Sequence, residues 1–279
     1  MGPDELSRAI NERRAEQAGR SRVGVPAGVR LGPLTATIMD EARSRVQDEF
    51  PSTQLWADEI ERILSFAQVQ GQFECYLGAL RGNASQRDSA IAELRVAFCF
   101  DRNGFSLVGW RPVGADGNEG EFLIGDPSGL TVFVEVKSPG WEGELSDEER
   151  EAGRIDQGKY LYCDGRAIAP WERIQFAIGK AYKKFLSSSP NLLVIVDDLF
   201  VSLEHGTEIH ANMALYSSHN NACFTHSNFQ NLGGVSFFWV KNNGREVWYE
   251  MKMFLNPHAL PGTALPEPLS LAFKAVNNC

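Results

Sequence analysis

The chain has 279 residues and carries 36 acidic against 27 basic side chains, a formal net charge of −9, so it lacks the basic surplus of proteins that grip nucleic acid unaided. With 43% hydrophobic and 23% charged residues it has a globular rather than a disordered or fibrous composition. Its longest apolar runs, Leu192–Val196 and Val235–Val240, fall far short of the ~20 residues needed to cross a bilayer. No basic start followed by an apolar stretch marks the N-terminus as a secretory signal. The five cysteines (Cys75, Cys99, Cys163, Cys223, Cys279) are odd in number and lack paired spacing, which predicts free thiols in a reducing cytoplasm. The charge is uneven: Glu142–Glu151 is strongly acidic, whereas Arg166–Lys184 holds Arg166, Arg173, Lys180, Lys183 and Lys184 against Glu172.

Along the chain, Asp4–Gln17 reads as a short helix, followed by a mobile Gly/Pro/Val-rich segment through Pro33. Ala36–Phe50 and Thr53–Leu80 read as helices, the second because Trp56, Ile60, Ile63, Leu64 and Ala67 recur at helical spacing. Residues 1–82 thus form a helical N-terminal extension. Ser85–Arg102 is a third helical stretch, stopped by Asn103-Gly104, with Glu93 set among the apolar positions Ala90, Ile91, Leu94, Ala97 and Phe98. A carboxylate there belongs to the rim of the apolar stripe or to a site.

Phe105–Val113 reads as a strand, Gly114–Gly120 as a loop, and Glu121–Lys137 as a β-hairpin with the turn Gly125-Asp126-Pro127-Ser128-Gly129. Its second arm, Thr131–Lys137, is β-branched, so alternation puts Glu135 and Lys137 on one side and Val132, Val134 and Val136 on the other. An insertion at 138–169 contains the acidic run and a helix near Ser146–Gln157. Pro170 and Glu172 open the next helix, with Ile174, Ala177, Ile178, Ala181 and Phe185 as its apolar face, and Lys183 and Lys184 suit its negative end. Asn191–Val196 has the continuous apolar pattern of a strand buried on both faces. His205–Asn231 reads as a helix with loops. Val235–Val240 and Glu246–Phe254 form a second hairpin around Asn242-Asn243-Gly244, and Pro257–Pro268 opens an irregular tail at 257–279.

A helix, an acidic residue, a turn and an apolar strand ending Glu135-Val136-Lys137, then a helix and a strand, resemble the signature of the PD-(D/E)XK nuclease superfamily. The resemblance covers roughly residues 85–197. It implies an α/β fold with a restriction-endonuclease-like core (helix, three antiparallel strands, helix, strand) within 83–256, flanked by the helical extension and the C-terminal hairpin. It further implies a Mg²⁺-dependent endonuclease, with Mn²⁺ as substitute, in which Glu135 and Lys137 are the Glu and Lys of the motif. Glu121 stands where the family has Asp, and Gly120 where it has Pro. Glu93 takes the place of the acid from the first core helix, and Gln175 and Lys180 that of polar groups on the second helix facing the metal or the scissile phosphate.

Such a site makes chemical sense. Glu121, Glu135, Glu93 and the carbonyl of Val136 would form the partial oxygen cage that Mg²⁺ prefers, and Lys137 would then be placed to orient or help deprotonate water. Asp116, Glu119 and Asp126 are alternatives to Glu121, although Asp126 also serves as a turn residue and Glu119 as a loop carboxylate. Without catalysis the trio would be a charged strand end facing solvent.

Other constellations are weaker. His219, Cys223 and His226 have zinc-like spacing without a fourth ligand, and Asp197-Asp198 suits a strand end as well as a cation. No P-loop, dinucleotide fingerprint or serine nucleophile elbow is present. Trp141, Trp171 and Tyr160 offer rings for base stacking or for packing. The expected partner is nucleic acid, DNA ahead of RNA. The acidic balance adds a protein that delivers the substrate, no membrane is involved, and a dimer is compatible with the pattern. The competing expectation is a nuclease-fold scaffold that has lost hydrolysis.

Overall fold

The computed structural model describes residues 29–38, 53–82, 84–125, 129–138, 170–196, 207–218, 221–225 and 227–273. The expected helix at Asp4–Gln17, most of Ala36–Phe50, the insertion beyond Ser138 and the Asp197-Asp198 pair lie outside these residues. Among the described residues no helix is long and apolar enough to cross a membrane.

The chain divides into two compact units. The first takes in residues up to Ala90 together with Asn242–Val247, and its helices are α1 (Pro33–Ile38), α2 (Thr53–Val69), α3 (Phe73–Leu80) and the first turns of α4 (Ala84–Arg102). The periodic residues Trp56, Ile60, Ile63, Leu64 and Ala67 of α2 are all buried. Glu61 of α2 accepts hydrogen bonds from Leu34 N (3.2 Å), Thr35 N (2.7 Å) and Thr35 Oγ1 (2.7 Å), satisfying donors that the first turn of α1 cannot pair internally.

Thr53–Leu80 is two helices, not the single one expected. Gly71 takes a φ of 70°, Gln72 N donates to Ala67 O (2.8 Å) and Gly71 N to Gln68 O (3.0 Å), which is a Schellman termination. The apolar period runs on through Phe73 and Tyr76 and hides this break from a pattern reading.

The second unit holds the rest of α4 and most of a six-stranded open sheet: β1 (Ser106–Trp110), β2 (Phe122–Gly125), β3 (Thr131–Lys137), β4 (Asn191–Val196), β5 (Gly234–Asn242) and β6 (Val247–Leu255). It also contains α5 (Pro170–Tyr182), α6 (Thr207–Leu215) and α7 (Glu267–Ala272), the last of seven α-helices among the described residues. The strands lie in sequence order, with β1–β2 and β2–β3 antiparallel and β3–β4 and β4–β5 parallel. The fold is therefore mixed α/β, and α4, β1–β3, α5 and β4 follow one another as helix, three antiparallel strands, helix and strand. The C-terminal hairpin extends this same sheet, because β5 pairs alongside β4.

All six residues of β4 are buried. Phe133, Leu193, Ile195, Val235 and Phe237 of the sheet share one apolar cluster with Ile174 and Ile178 of α5 and Leu215 of α6. Phe122, which pairs with Val134 and so faces the other way, meets Phe100 of α4 edge-on at 6.2 Å. The tail is less irregular than its prolines predict. Pro268 lies in the first turn of α7, where its missing N–H costs no helical bond, and Phe273 packs on Phe100 (5.4 Å) and Phe105 (5.9 Å).

The first strand ends at Trp110, short of the expected Val113, because Arg111 adopts a φ of 53° ahead of Pro112. Beyond it an isolated bridge joins Val113 and Glu119.

Candidate functional site

The site is built on the register of β2 against β3, all within the second unit. Leu123 lies opposite Phe133, on the sheet face of Glu135 and Lys137, and Glu121, just before β2, donates its N–H to Val134 O (3.2 Å). The alternation expected for β3 is present: Lys137 Nζ lies 2.5 Å from Glu135 Oε1. This is not a charged strand end in solvent, because the Glu135 side chain is 0% exposed.

An ionised carboxylate at such depth costs several kcal/mol unless cations compensate it. Two do so here. Besides Lys137, Lys184 Nζ lies 2.8 Å from the same Oε1 atom. Lys184 sits just past the end of α5, and its carbonyl accepts from Ala115 N (2.9 Å), which ties the loop before β2 to that turn. Both ammonium groups lie on one oxygen. The other, Glu135 Oε2, is buried with no hydrogen-bond partner among the described residues.

Glu121 and Glu93 complete a cluster of three carboxylates. Burial first, then the negative charges of Glu93 and Glu135, push the Glu121 carboxyl up from an ordinary 4.5 to about 8, while Arg111 and Lys184 pull it back. Arg111 forks across two of the acids, Nη1 to Glu121 Oε2 (3.2 Å) and Nη2 to Glu93 Oε2 (3.3 Å). Its N–H also donates to Glu121 O (3.0 Å). A left-handed backbone at a residue with a Cβ costs about 1–2 kcal/mol, and such strain concentrates at functional sites.

No protein-family model matches this chain, and no curated protein or solved structure matches it. The chemistry of the site therefore rests on its own geometry.

That geometry brings together Glu93, Glu121, Glu135 and Lys137 of the residues singled out in the sequence. Phe133 N donates to Pro190 O on the β4 side, so the even-numbered carbonyls of β3 point toward β2, as Val134 O does. Val136 O lies further along that edge, past the last β2–β3 pair, Phe122–Val134. The structure places Gln175 and Lys180 elsewhere. Gln175 Nε2 donates to Ala214 O of α6 (3.3 Å), and Lys180 is exposed with its ammonium 4.4 Å from the centre of the Phe176 ring.

Of the alternatives to Glu121, Glu119 is exposed, and exposed Asp116 accepts from Asn118 N (3.0 Å) and Nδ2 (2.9 Å), which hold its carboxyl below the usual range. Asp126, Trp141, Tyr160, His219 and His226 lie outside the described residues, Trp171 stacks on His210 (6.3 Å), and burial pushes the Cys223 thiol up to about 12.

The glycine before Glu121 has a physical reason. A Cβ at Gly120 would overlap the Phe133 ring, and Gly120 N donates to Pro112 O (2.7 Å), so proline would clash there and lose a bond.

Among the described residues no three His, Cys, Asp or Glu side chains converge closely enough to hold a metal ion by themselves. Mg²⁺ asks for less: one or two carboxylates, with water and substrate filling an octahedron. Glu135, with its buried and unpaired Oε2, together with Glu121 fits that donor set, and Val136 O is the third oxygen to test. Sequence reasoning missed Lys184 and Arg111. Lys184 had a sufficient local explanation at a helix end, and Arg111 lay inside an expected strand.

Proposed function

We propose that this chain is a metal-dependent nuclease with a restriction-endonuclease-like core, hydrolysing phosphodiester bonds of DNA. The observation that carries the reading is Glu135: a fully buried carboxylate with two lysines on one oxygen and, among the described residues, no hydrogen-bond partner on the other. A divalent cation bound by Glu135 and Glu121 would supply charge neutralisation at phosphorus and acidify a bound water. Lys137, 30% exposed, is the group able to reach that water and the scissile phosphate, orienting the one and offsetting charge on the other. Lys184, 2.8 Å from Glu135 Oε1, fixes the direction of that carboxylate. The overall acidity of the chain agrees with a partner that delivers the nucleic acid.

The test is cleavage of double-stranded DNA by the full chain in Mg²⁺ or Mn²⁺ against EDTA, with single-stranded RNA in parallel. Lys137→Met and Glu135→Gln should each lower the metal-dependent rate by about 10²–10⁴. Variants that cut as fast as wild type would refute the proposal. A second reading, a scaffold that keeps the fold without hydrolysis, is favoured by one observation: Arg111, Lys137 and Lys184 already pair with the three carboxylates. In that case no cleavage occurs and Mn²⁺ leaves the melting temperature unchanged.

A further inference from the structure

Arg111 combines two properties that packing alone does not ask for. It holds a left-handed backbone that a glycine would adopt without strain, immediately before a proline. Its side chain, 42% exposed, ends in a guanidinium set against Glu93 and Glu121, whose side chains are only 13% and 8% exposed. Both contacts, at 3.3 and 3.2 Å, are longer than the about 2.7–2.9 Å of a strong charge-assisted bond. The fork occupies one of the two carboxylates that the proposed metal site uses.

We infer that Arg111 is an exchangeable partner of the site: without a divalent cation it bridges Glu93 and Glu121, and with one it yields Glu121 and turns to the substrate phosphate. This rests on the metal-dependent nuclease reading and assigns a new residue to it. The physical grounds are mutual exclusion and reuse. A guanidinium at 3.2 Å from Glu121 Oε2 repels a dication at the same carboxylate, so the two compete. The planar fork that spans two carboxylates is also the geometry that grips a phosphate, and the exposed position of Arg111 lets it reach one. The rigid turn, pinned by Arg111 N to Glu121 O, keeps the side chain at the mouth of the site in either state.

The experiment measures Mn²⁺ affinity, by electron paramagnetic resonance of the free ion, for wild type, Arg111→Gln, Arg111→Lys and Arg111→Gly without nucleic acid. Affinity for a short labelled duplex DNA is then measured in Mn²⁺, on a Lys137→Met background that suppresses cleavage. Arg111→Gln and Arg111→Gly should each bind Mn²⁺ about five- to tenfold tighter than wild type, with Arg111→Lys between, and should bind the duplex several-fold more weakly. An Arg111→Gln protein with unchanged or weaker Mn²⁺ affinity overturns the inference, while Mn²⁺ binding by wild type leaves the nuclease reading standing. A change in Arg111→Gly that Arg111→Gln does not share also overturns it, since the backbone rather than the guanidinium is then responsible. Absence of Mn²⁺ binding from every protein overturns the metal reading and the inference together.

Discussion

Replacing Glu121 by Gln should flatten the dependence of stability on pH between about pH 5 and about pH 8.5. In the folded chain, burial and the neighbouring carboxylates of Glu93 and Glu135 push the Glu121 carboxyl up to about 8, against 4.5 without those surroundings. Between these values the native protein holds a proton that the unfolded chain has already released. The stabilisation this proton provides is therefore complete below pH 4.5, declines as the pH rises, and is gone once Glu121 ionises above about 8. Each pH unit corresponds to about 1.4 kcal/mol, so a step from about pH 5 to about pH 8.5 covers about three units and sets a ceiling near 4 kcal/mol. Solvent reaching the half-exposed Arg111 screens part of this, which leaves an expected difference of about 2–4 kcal/mol. Urea unfolding in EDTA at the two pH values reads it directly, because groups common to both proteins cancel in the comparison. Wild type should lose that much more than Glu121→Gln. Parallel losses in the two proteins would refute the claim that Glu121 is buried among like charges. At the alkaline pH, Mn²⁺ should restore wild type by about 2.7 kcal/mol at a hundredfold excess over its dissociation constant, and should restore the variant less.

Three further outcomes follow from the geometry. Lys184→Met leaves Glu135 with Lys137 alone and should destabilise the protein by about 1–3 kcal/mol in urea unfolding while lowering any metal-dependent cleavage; wild-type stability would remove Lys184 from the site. Gly120→Ala must displace the Phe133 ring beneath the site and should cost about 1–3 kcal/mol, with a change in near-ultraviolet circular dichroism. Gly71→Ala meets no atom within 4 Å, so its cost should be the left-handed backbone alone, about 1–2 kcal/mol; a neutral substitution would contradict the Schellman termination of α2.

Much of this protein is determined by contiguous residues. The period-two pattern of Thr131–Lys137 determines that Glu135 and Lys137 share a side, because alternation is a property of the extended backbone and needs no partner strand. The stop at Asn103-Gly104, the apolar stripe Ile174–Ala181 and the uninterrupted burial of Asn191–Val196 are local in the same sense. What surrounds Glu135 is not local. Lys184 reaches it only because the parallel crossover from β3 to β4 sets the end of α5 beside the carboxylate, and sheet order and helix placement are long-range choices. The same placement sets the apolar face Ile174, Ala177, Ile178 and Ala181 in the core, hands Gln175 to α6 and leaves Lys180 at the surface, although the resemblance made Gln175 and Lys180 candidates for the site. Arg111 depends on a single backbone angle at the end of β1, and its two carboxylate partners come from a helix before it and a strand after it. The sequence by itself determined which strand carries the acid and the lysine. Only the tertiary structure decided which cations neutralise that acid and which of its oxygens stays open, because buried charge is compensated across elements whose meeting no short-range pattern encodes.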